Sequence, residues 1–159
     1  MPNDLRTDFA DKTLDQLHQH AEAKVVSFSY VRPSAEVKTK GVVSLAQGEL
    51  IRGAVQIVKK NGGENNLHYH TNVETLWMVI KGRVRFYGPG DTLLKELGPN
   101  EGIITPRYSR YWFECVGDQD LELLQVAASD TPGLKSGRTD AAARRPNMAR
   151  SAGFGQKIA

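Results

Sequence analysis

The feature that most constrains how this chain folds is an unbroken series of short strand-like segments between Glu49 and Ala128. The segments are rich in β-branched and aromatic residues, and turn-forming Gly, Pro, Asn and Asp residues separate them at roughly the 8–12-residue spacing of an all-β domain. No amphipathic helical pattern interrupts the series, which excludes a sheet built from β-α-β units. The pattern therefore predicts an all-β domain, either an antiparallel sandwich or a barrel.

The flanking regions follow different patterns. Residues 12–23, KTLDQLHQHAEA, predict a short helix with a thin apolar face, so that residues 1–24 form an N-terminal helical arm. Strand-like sequence begins with VVSFSYV at residues 25–31, and the β-domain is predicted over residues 25–130. The rest of the chain has no apolar periodicity, and residues 131–159 are predicted to be an irregular, weakly ordered tail.

The formal net charge of +3 lies mainly in this tail. From Lys135 onward six basic residues stand against one acidic residue, Asp140, so the preceding region is slightly acidic. A basic tail suits nucleic acid or an anionic membrane surface. A solvated arm, or one wrapped on a partner subunit, is the simpler interpretation, and no nucleic-acid or membrane partner is predicted.

A single cysteine, Cys115, excludes an internal disulfide and a thiolate cluster within one chain. The first residues, MPNDLRTDFADK, lack the apolar stretch of a secretory signal, and no apolar run reaches the roughly 18 residues of a spanning helix. These observations predict a cytoplasmic protein. The sequence also lacks the Gly-rich nucleotide-binding motifs and the GxSxG motif of serine hydrolases.

The sequence NLHYH places two histidines at a spacing that allows chelation. Side chains alternate along a strand, so His68 and His70 point to the same face with their Cα atoms about 6.6 Å apart. Glu74 follows across a predicted turn, and two histidines with one carboxylate suit iron, manganese, nickel or zinc. The alternative is a pair of hydrogen-bonded histidines that binds no metal.

Two segments resemble the conserved motifs of the cupin superfamily. Residues 62–82, GGENNLHYHTNVETLWMVIKG, resemble the first motif, in which a Gly precedes the two histidines and a Glu and a closing Gly follow. Residues 102–124, GIITPRYSRYWFECVGDQDLELL, resemble the second, in which a proline-containing turn leads into a strand with the third metal histidine. The resemblance implies an antiparallel jelly-roll β-barrel, one divalent metal ion (Fe, Mn, Ni or Zn) and a homodimer.

This sequence departs from the family pattern at two positions. The usual position of the family's glutamate is occupied by Thr75, one residue after Glu74, and a one-residue shift turns a side chain to the opposite face of a strand. The apolar LWMVI that follows does not show which face is inward, so both residues remain open as the ligand. In the second motif Tyr111 stands where the family has its histidine.

These departures define the remaining candidate residues. Glu74 and Tyr111 are candidate catalytic residues and candidate metal ligands, because a carboxylate or a phenol beside a metal ion can transfer protons. An arginine binds carboxylate or phosphate through paired donors, and aromatic groups pack against a substrate. The candidate substrate-binding residues are Arg107, Tyr108, Arg110 and Trp77, with a position in the core as the alternative for Trp77.

The resemblance implies a metal-dependent enzyme that acts on a small molecule inside the barrel. A dioxygenase, which is an oxidoreductase, is the commonest such chemistry, whereas a lyase, cyclase or isomerase accords better with the missing histidine. The alternative is a protein that binds a small ligand without turnover, because the same fold hosts many chemistries.

Overall fold

The computed structural model describes residues 10–60, 62, 65–133, 135–142 and 152–155. Within these ranges the chain forms one α-helix, α1 (Leu14–Glu22), and eleven strands. The strands are β1 (Lys40–Gln47), β2 (Ile51–Val58), β3 (His68–His70), β4 (Glu74–Lys81), β5 (Arg83–Tyr87), β6 (Leu93–Leu97), β7 (Gly102–Thr105), β8 (Trp112–Val116), β9 (Leu121–Ala128), β10 (Arg138–Asp140) and β11 (Ala152–Gly155).

Burial alternates along the central strands, which explains why these segments fold as they do. In β4, Thr75, Trp77 and Val79 are buried, whereas the residues between and beside them are half-buried or exposed. In β5, Val84 and Phe86 are buried and their neighbours are not. A period of two is what a strand with one packed face requires. The predicted all-β architecture of antiparallel strands is confirmed.

The strands form three separate sheets within the described residues. The largest has the order β11-β1-β2-β9-β4-β7, and the others are β6-β5-β8 and the pair β10-β3. All pairings are antiparallel except that of β11 with β1. An isolated bridge between His68 and Tyr111 links β3 to the start of β8. The sheets enclose a common interior between them.

One end of this interior is a closely packed apolar core, which we call the floor. Its side chains come from the large sheet and from β5 and β8, and together they bring the two layers into contact. Burial of a large apolar side chain contributes roughly 1.5–3 kcal/mol to folding. The floor residues are fully buried and comprise Val84, Phe86, Phe113, Leu121 and Leu123.

The turn from β4 to β5 depends on a glycine. Gly82 has a φ of +83°, a conformation that L-residues with a Cβ rarely adopt. A Cβ at this position would lie 2.5 Å from the carbonyl oxygen of Asp120. The glycine that closes the first motif therefore allows the tight reversal that follows the buried strand.

A second apolar cluster lies on the outer face of the large sheet. It is formed by Val43, Leu45, Val55 and Ile57 of β1 and β2 and is covered by Val37 and Tyr30. The hydroxyl of Tyr30 donates to Oε1 of Glu122 at 2.7 Å, which fixes this segment on the sheet. Residues 25–31 form no strand, contrary to our prediction. The segment joins no ladder and contacts the outer cluster through Tyr30, whereas Val25, Phe28 and Val31 are exposed.

The helix α1 is exposed except at Leu17, which is half-buried. The hydroxyl of Thr13 accepts from the backbone N–H of Gln16, whose side chain accepts from the N–H of Thr13, so a capping box begins α1. None of the helix residues is buried. Among the described residues no helix is long and apolar enough to cross a membrane.

The tail contributes two short strands, which differs from the irregular tail that we predicted. β10 pairs with β3, and β11 pairs with β1. Such pairing uses backbone hydrogen bonds and needs no apolar periodicity, which is why the composition of the tail did not indicate it. β10 thus lies beside the strand that carries the two histidines.

Candidate metal site

The two histidines of β3 lie side by side in the interior. His68 is 2% exposed, and its ring centroid is 5.2 Å from that of His70, with the ring planes 84° apart. Tyr69 projects to the other side of the strand and stacks on Tyr108 at 6.3 Å. Alternation along the strand therefore brings both imidazoles to one face, as the sequence predicted.

Each histidine keeps one nitrogen available for a ligand. Nδ1 of His68 lies 2.7 Å from the carbonyl oxygen of Asn66, so it carries the proton and leaves the lone pair of Nε2 free. Nδ1 of His70 is buried and has no hydrogen-bond partner in the described part of the chain. An orphaned lone pair in the interior is costly unless something binds it.

Both histidines are neutral near pH 7. Burial, followed by the positive charge of Arg138, lowers the pKa of His68 to about 3. The same two causes lower the pKa of His70 to about 4. A metal ion binds only the neutral imidazole, so near pH 7 neither histidine has a proton to displace.

Tyr111 lies directly beside this pair. Its ring centroid is 4.5 Å from that of His68 and 6.4 Å from that of His70. The backbones of Tyr111 and His68 exchange two hydrogen bonds, at 3.1 and 2.9 Å, which hold the second motif against β3. Burial raises the pKa of Tyr111 to about 12, so the phenol is protonated near pH 7.

Glu74 is not part of this group. It is exposed at the start of β4, on the face opposite to the buried Thr75, and it lines a groove on the outside of the sheet with Leu76 and Ile104. No bulge at this end of β4 compensates for the one-residue shift, so Thr75 faces inward. The structure therefore places Glu74 away from the histidines, which corrects its assignment as a metal ligand and catalytic residue.

The loop residues predicted to bind substrate are also directed elsewhere. Arg107 lines the same outer groove and lies 3.7 Å from a carboxylate oxygen of Asp130. Tyr108 is 67% exposed, has a φ of +65° and stacks on Tyr69. Arg110 is exposed. Because the loop does not follow strand alternation, its side chains do not turn inward with that of Tyr111.

Trp77 belongs to the core between the floor and the histidines. Its ring centroid is 6.1 Å from that of Tyr111 and 5.4 Å from that of Phe113. The indole N–H donates to Oγ1 of Thr105 at 2.9 Å. Trp77 therefore supports the position of Tyr111, in agreement with the core alternative.

Two cations that the sequence did not indicate lie near the pair. Arg138 stands directly opposite His70 in the pairing of β10 with β3. Nζ of Lys40, on the inner face of β1, lies 4.9 Å from the ring centroid of Phe113. Only the strand pairings could have revealed them. We call the end of the interior formed by His68, His70, Tyr111, Lys40 and Arg138 the mouth.

The mouth offers fewer protein donors than a closed metal site. In the described part of the chain, no three His, Cys, Asp or Glu side chains converge on one point. Two imidazoles with a phenol beside them still fit an ion that keeps open positions for ligands. The donor set is thus compatible with an open site and not with a closed structural one.

Known proteins provide an independent comparison. No protein-family model and no curated protein sequence matches the chain. A protein of Klebsiella pneumoniae with a double-stranded β-helix domain is 20% identical over 72% of this chain and 92% of its own, with a TM-score of 0.57. An RmlC-like cupin protein of Desulfovibrio desulfuricans is 19% identical over 63% of this chain and 94% of its own, with a TM-score of 0.53.

A third solved structure agrees with these two. An RmlC-like cupin of Methanocaldococcus jannaschii is 18% identical over 67% of this chain and 93% of its own, with a TM-score of 0.53. The chain has the cupin fold. In this cupin fold the first motif supplies β3 and β4, and the second supplies β7, β8 and the start of β9.

Proposed function

We propose that this cupin is a metal-dependent enzyme that acts on a small molecule in the mouth. The observation that carries the proposal is the histidine pair, which is neutral and presents lone pairs to the interior. In the proposal His68 and His70 hold one divalent ion, Fe, Mn, Ni or Zn. A bound ion would polarise an oxygen atom of the substrate as a Lewis acid.

Tyr111 supplies the proton chemistry in this proposal. A buried phenol with a raised pKa keeps its proton at neutral pH and can donate it from Oη to a substrate atom. Proton transfer of this kind suits a lyase, cyclase or isomerase. A dioxygenase remains the other metal-dependent reaction class, and it assigns Tyr111 a hydrogen-bonding role only.

The interior also contains a cavity of about 500 Å³, which runs along the inner face of β1, β2 and β9 and whose lining includes none of the five mouth residues. Its walls combine small apolar side chains with Ser44, Arg52 and Gln125. This mixture of apolar surface with a few polar groups is typical of small-molecule sites.

The second candidate function is ligand binding without turnover. The observation that favours it is that no three His, Cys, Asp or Glu side chains meet in the part of the chain that the structure describes. In that case the histidines bind the ligand through hydrogen bonds. A chelator would then leave binding unchanged.

Elemental analysis of metal content tests the proposal. We expect about one metal ion per chain in the wild type and none in His68→Ala/His70→Ala. The matched control is His18→Ala/His20→Ala, because these two histidines have the same i, i+2 spacing but are exposed on α1. The control should keep its metal. Absence of metal from the wild type after reconstitution with Fe, Mn, Ni and Zn would overturn the metal-dependent function and favour the binding protein.

We also propose that the chain forms a homodimer. The outer face of β4 and β7 exposes Leu76 and Ile104, beside the part of the sheet that residues 30–37 cover. The segment that follows α1 exposes Val25, Phe28 and Val31, which are 61–84% accessible. A second copy would cover these apolar surfaces. Sedimentation at micromolar concentration should give a dimer that Ile104→Glu weakens, and a wild-type monomer would contradict the proposal.

A further inference from the structure

Residues 135–142 lie along the strand that carries the two histidines, and we call this segment the strap. Its central part is β10, which pairs with β3 so that Arg138 stands opposite His70 and Asp140 stands opposite His68. None of the eight residues of the strap is buried, and the three residues of β10 are exposed. The strap therefore adds no buried side chain to the core and is held in place by hydrogen bonds.

The hydrogen bonds of the strap go to alternate residues of the histidine strand. The N–H of Ala141 donates to the carbonyl oxygen of Leu67 at 2.9 Å, and the N–H of Thr71 donates to the carbonyl oxygen of Gly137 at 3.3 Å. Hydrogen-bonded pairs recur at every second residue of an antiparallel ladder, so Tyr69, halfway between, also faces the strap. The strap thus bonds to residues 67, 69 and 71, whereas the backbone groups of the two histidines face the other edge.

The two histidines are held from that other edge by the second motif. The backbones of His68 and Tyr111 exchange two hydrogen bonds, and the N–H of Tyr108 donates to the carbonyl oxygen of His70 at 2.8 Å. These bonds do not involve the strap. Both histidines can therefore keep their positions while the strap is displaced.

One asparagine fastens each end of the strap. Nδ2 of Asn66 donates to the carbonyl oxygen of Ala142 at 3.0 Å, and Nδ2 of Asn72 donates to that of Lys135 at 2.9 Å. A single hydrogen bond contributes little net stability, because water replaces it when it opens. Segments that are held by exposed hydrogen bonds and have few buried apolar contacts are the ones that open locally in a folded protein.

The closed strap places a side chain in front of the histidine pair. Cross-strand neighbours share a face, so Arg138 lies on the same face as the imidazole of His70. Nη2 of Arg138 donates to Oδ1 of Asn66 at 2.8 Å and lies 3.3 Å from Oδ1 of Asp140. These two contacts fix the guanidinium, so it stays on the face of the imidazoles as long as the strap is closed.

We propose that the strap is a gate over the histidine pair, and that a metal ion enters and leaves the mouth while the strap is open. The proposal rests on the proposed function for the identity of the bound group, and it adds how access to that group is controlled. Opening separates residues 135–142 from β3 but leaves both histidines bonded to the second motif. The site is thus exposed without being taken apart.

Hydrogen exchange of the metal-free protein, followed by NMR spectroscopy, tests the motion itself. The amides of Thr71, Asn72 and Ala141 bond across the strap, whereas those of His68 and Tyr111 bond to each other's carbonyl groups. After correction for intrinsic rates, we expect the first group to exchange at least tenfold faster than the second. Equal exchange in the two groups would show that β3 opens together with the strap and would overturn the proposal.

A disulfide between the two strands tests the gate. Tyr69 and Thr139 form a hydrogen-bonded pair, and the Cα atoms of such a pair are about 5.5 Å apart, which suits a disulfide. Tyr69 projects away from the histidines, so the variant Tyr69→Cys/Thr139→Cys in a Cys115→Ser background keeps the pair. The probe is Mn²⁺, because thiolates prefer softer metal ions. Transfer of bound Mn²⁺ to excess chelator should be at least tenfold slower in the oxidised than in the reduced form of this variant.

Loosening the strap should have the opposite effect. Asn72→Ala removes the hydrogen bond to Lys135 and should speed the transfer of Mn²⁺ roughly fivefold, which corresponds to the loss of one hydrogen bond. The matched control is Gln119→Ala, which alters an exposed amide side chain in the turn before β9 and should release the ion as the wild type does. Transfer from Asn72→Ala at the wild-type rate would contradict the proposal.

The two measurements separate this inference from the metal-dependent function. Fast exchange of the strap amides in a protein that takes up no metal supports the moving strap while the metalloenzyme proposal fails. Metal uptake with equal transfer rates in the oxidised and reduced forms supports the metal site and overturns the gate.

Discussion

At the floor of the interior, Phe86, Leu121 and Leu123 are fully buried among other apolar side chains, and no polar group is left without a partner there in the described residues. At the mouth, β3 carries His70, whose buried Nδ1 has no hydrogen-bond partner among the described residues, and β1 carries Lys40, which no ion pair joins to any of them. Burial of the floor side chains stabilises the fold, whereas the buried groups of the mouth that have no described partner destabilise it. A fold retains such groups where they bind something, so the difference supports our proposal that the mouth is the functional end.

One segment of the chain connects the two ends. Tyr111 of the mouth precedes Phe113 of the floor by two residues on the way into β8. One strand repeat separates the two residues, so both face inward. The floor therefore holds the mouth residues in position without contacting a ligand itself.

The largest effect that distinguishes the two ends is expected in the free energy of unfolding when the pH is lowered. The pKa values of His68 and His70, about 3 and 4, lie below the ordinary value of 6.5, so the unfolded chain binds protons more readily than the folded chain. The stabilisation is complete above pH 6.5 and is lost as the pH falls toward 4 and 3. Between pH 7 and pH 5 the metal-free protein should lose about 2 kcal/mol per histidine.

Urea unfolding of chelator-treated protein at the two pH values measures this loss. The variant His68→Gln/His70→Gln should lose about 4 kcal/mol less than the wild type over the same pH interval. The variant His18→Gln/His20→Gln should behave as the wild type, because both residues are exposed. Parallel pH dependence in all three proteins would show that the buried pair does not set acid stability.

Removal of a floor side chain should give the next largest effect. Leu121→Ala removes a fully buried side chain and leaves a cavity, so it should lower the free energy of unfolding by about 3 kcal/mol. Metal content of the folded protein should not change. Leu93→Ala, at a position 52% exposed on β6, is the matched control and should cost much less. Metal loss in Leu121→Ala would mean that the two ends are not separable.

The boundary between the ends is tested at Thr105. Its Oγ1 accepts from the indole N–H of Trp77 at 2.9 Å, in a buried position. Thr105→Val retains the shape but leaves that N–H unsatisfied, which should cost about 1–2 kcal/mol in urea unfolding. Thr92→Val, on the surface, should stay within about 0.5 kcal/mol of the wild type. A neutral Thr105→Val would indicate that Trp77 finds another acceptor.

The smallest effect is expected at Glu74. Because this carboxylate is exposed on the outer face, Glu74→Gln should leave metal content unchanged and stability within about 0.5 kcal/mol. His70→Gln, measured in parallel by elemental analysis, should lose the metal. Loss of metal in Glu74→Gln would restore the carboxylate ligand that the sequence suggested and would contradict the inward position of Thr75.

The sequence predicted those features that depend on local alternation and turn chemistry. The all-β fold follows from short strands between turns, and the common face of His68 and His70 follows from their spacing of two. The position of Tyr111 followed from the resemblance of the second motif to a family pattern. Alternation failed for β4, because its apolar residues occur on both faces and hide the difference between Glu74 and Thr75.

Features that depend on distant pairing could not be predicted. Arg138 and Lys40 reach the mouth through strand pairings that backbone hydrogen bonds determine. Because nearly every residue type has the same backbone groups, the sequence does not indicate these pairings. Tyr108 was misplaced because its positive φ turns the loop away from the interior. The strand propensity of residues 25–31 did not produce a strand, because no described strand pairs with this segment.

The pairing of β10 with β3 has a consequence for biosynthesis. Arg138 follows its partner Asn66 by 72 residues, and a ribosome adds roughly 5–20 residues per second. Both histidines therefore leave the ribosome several seconds before the arginine that stands over them. A nascent chain that stops short of residue 138 contains the histidine strand without its partner strand β10, so the mouth is completed only after Arg138 has been synthesised.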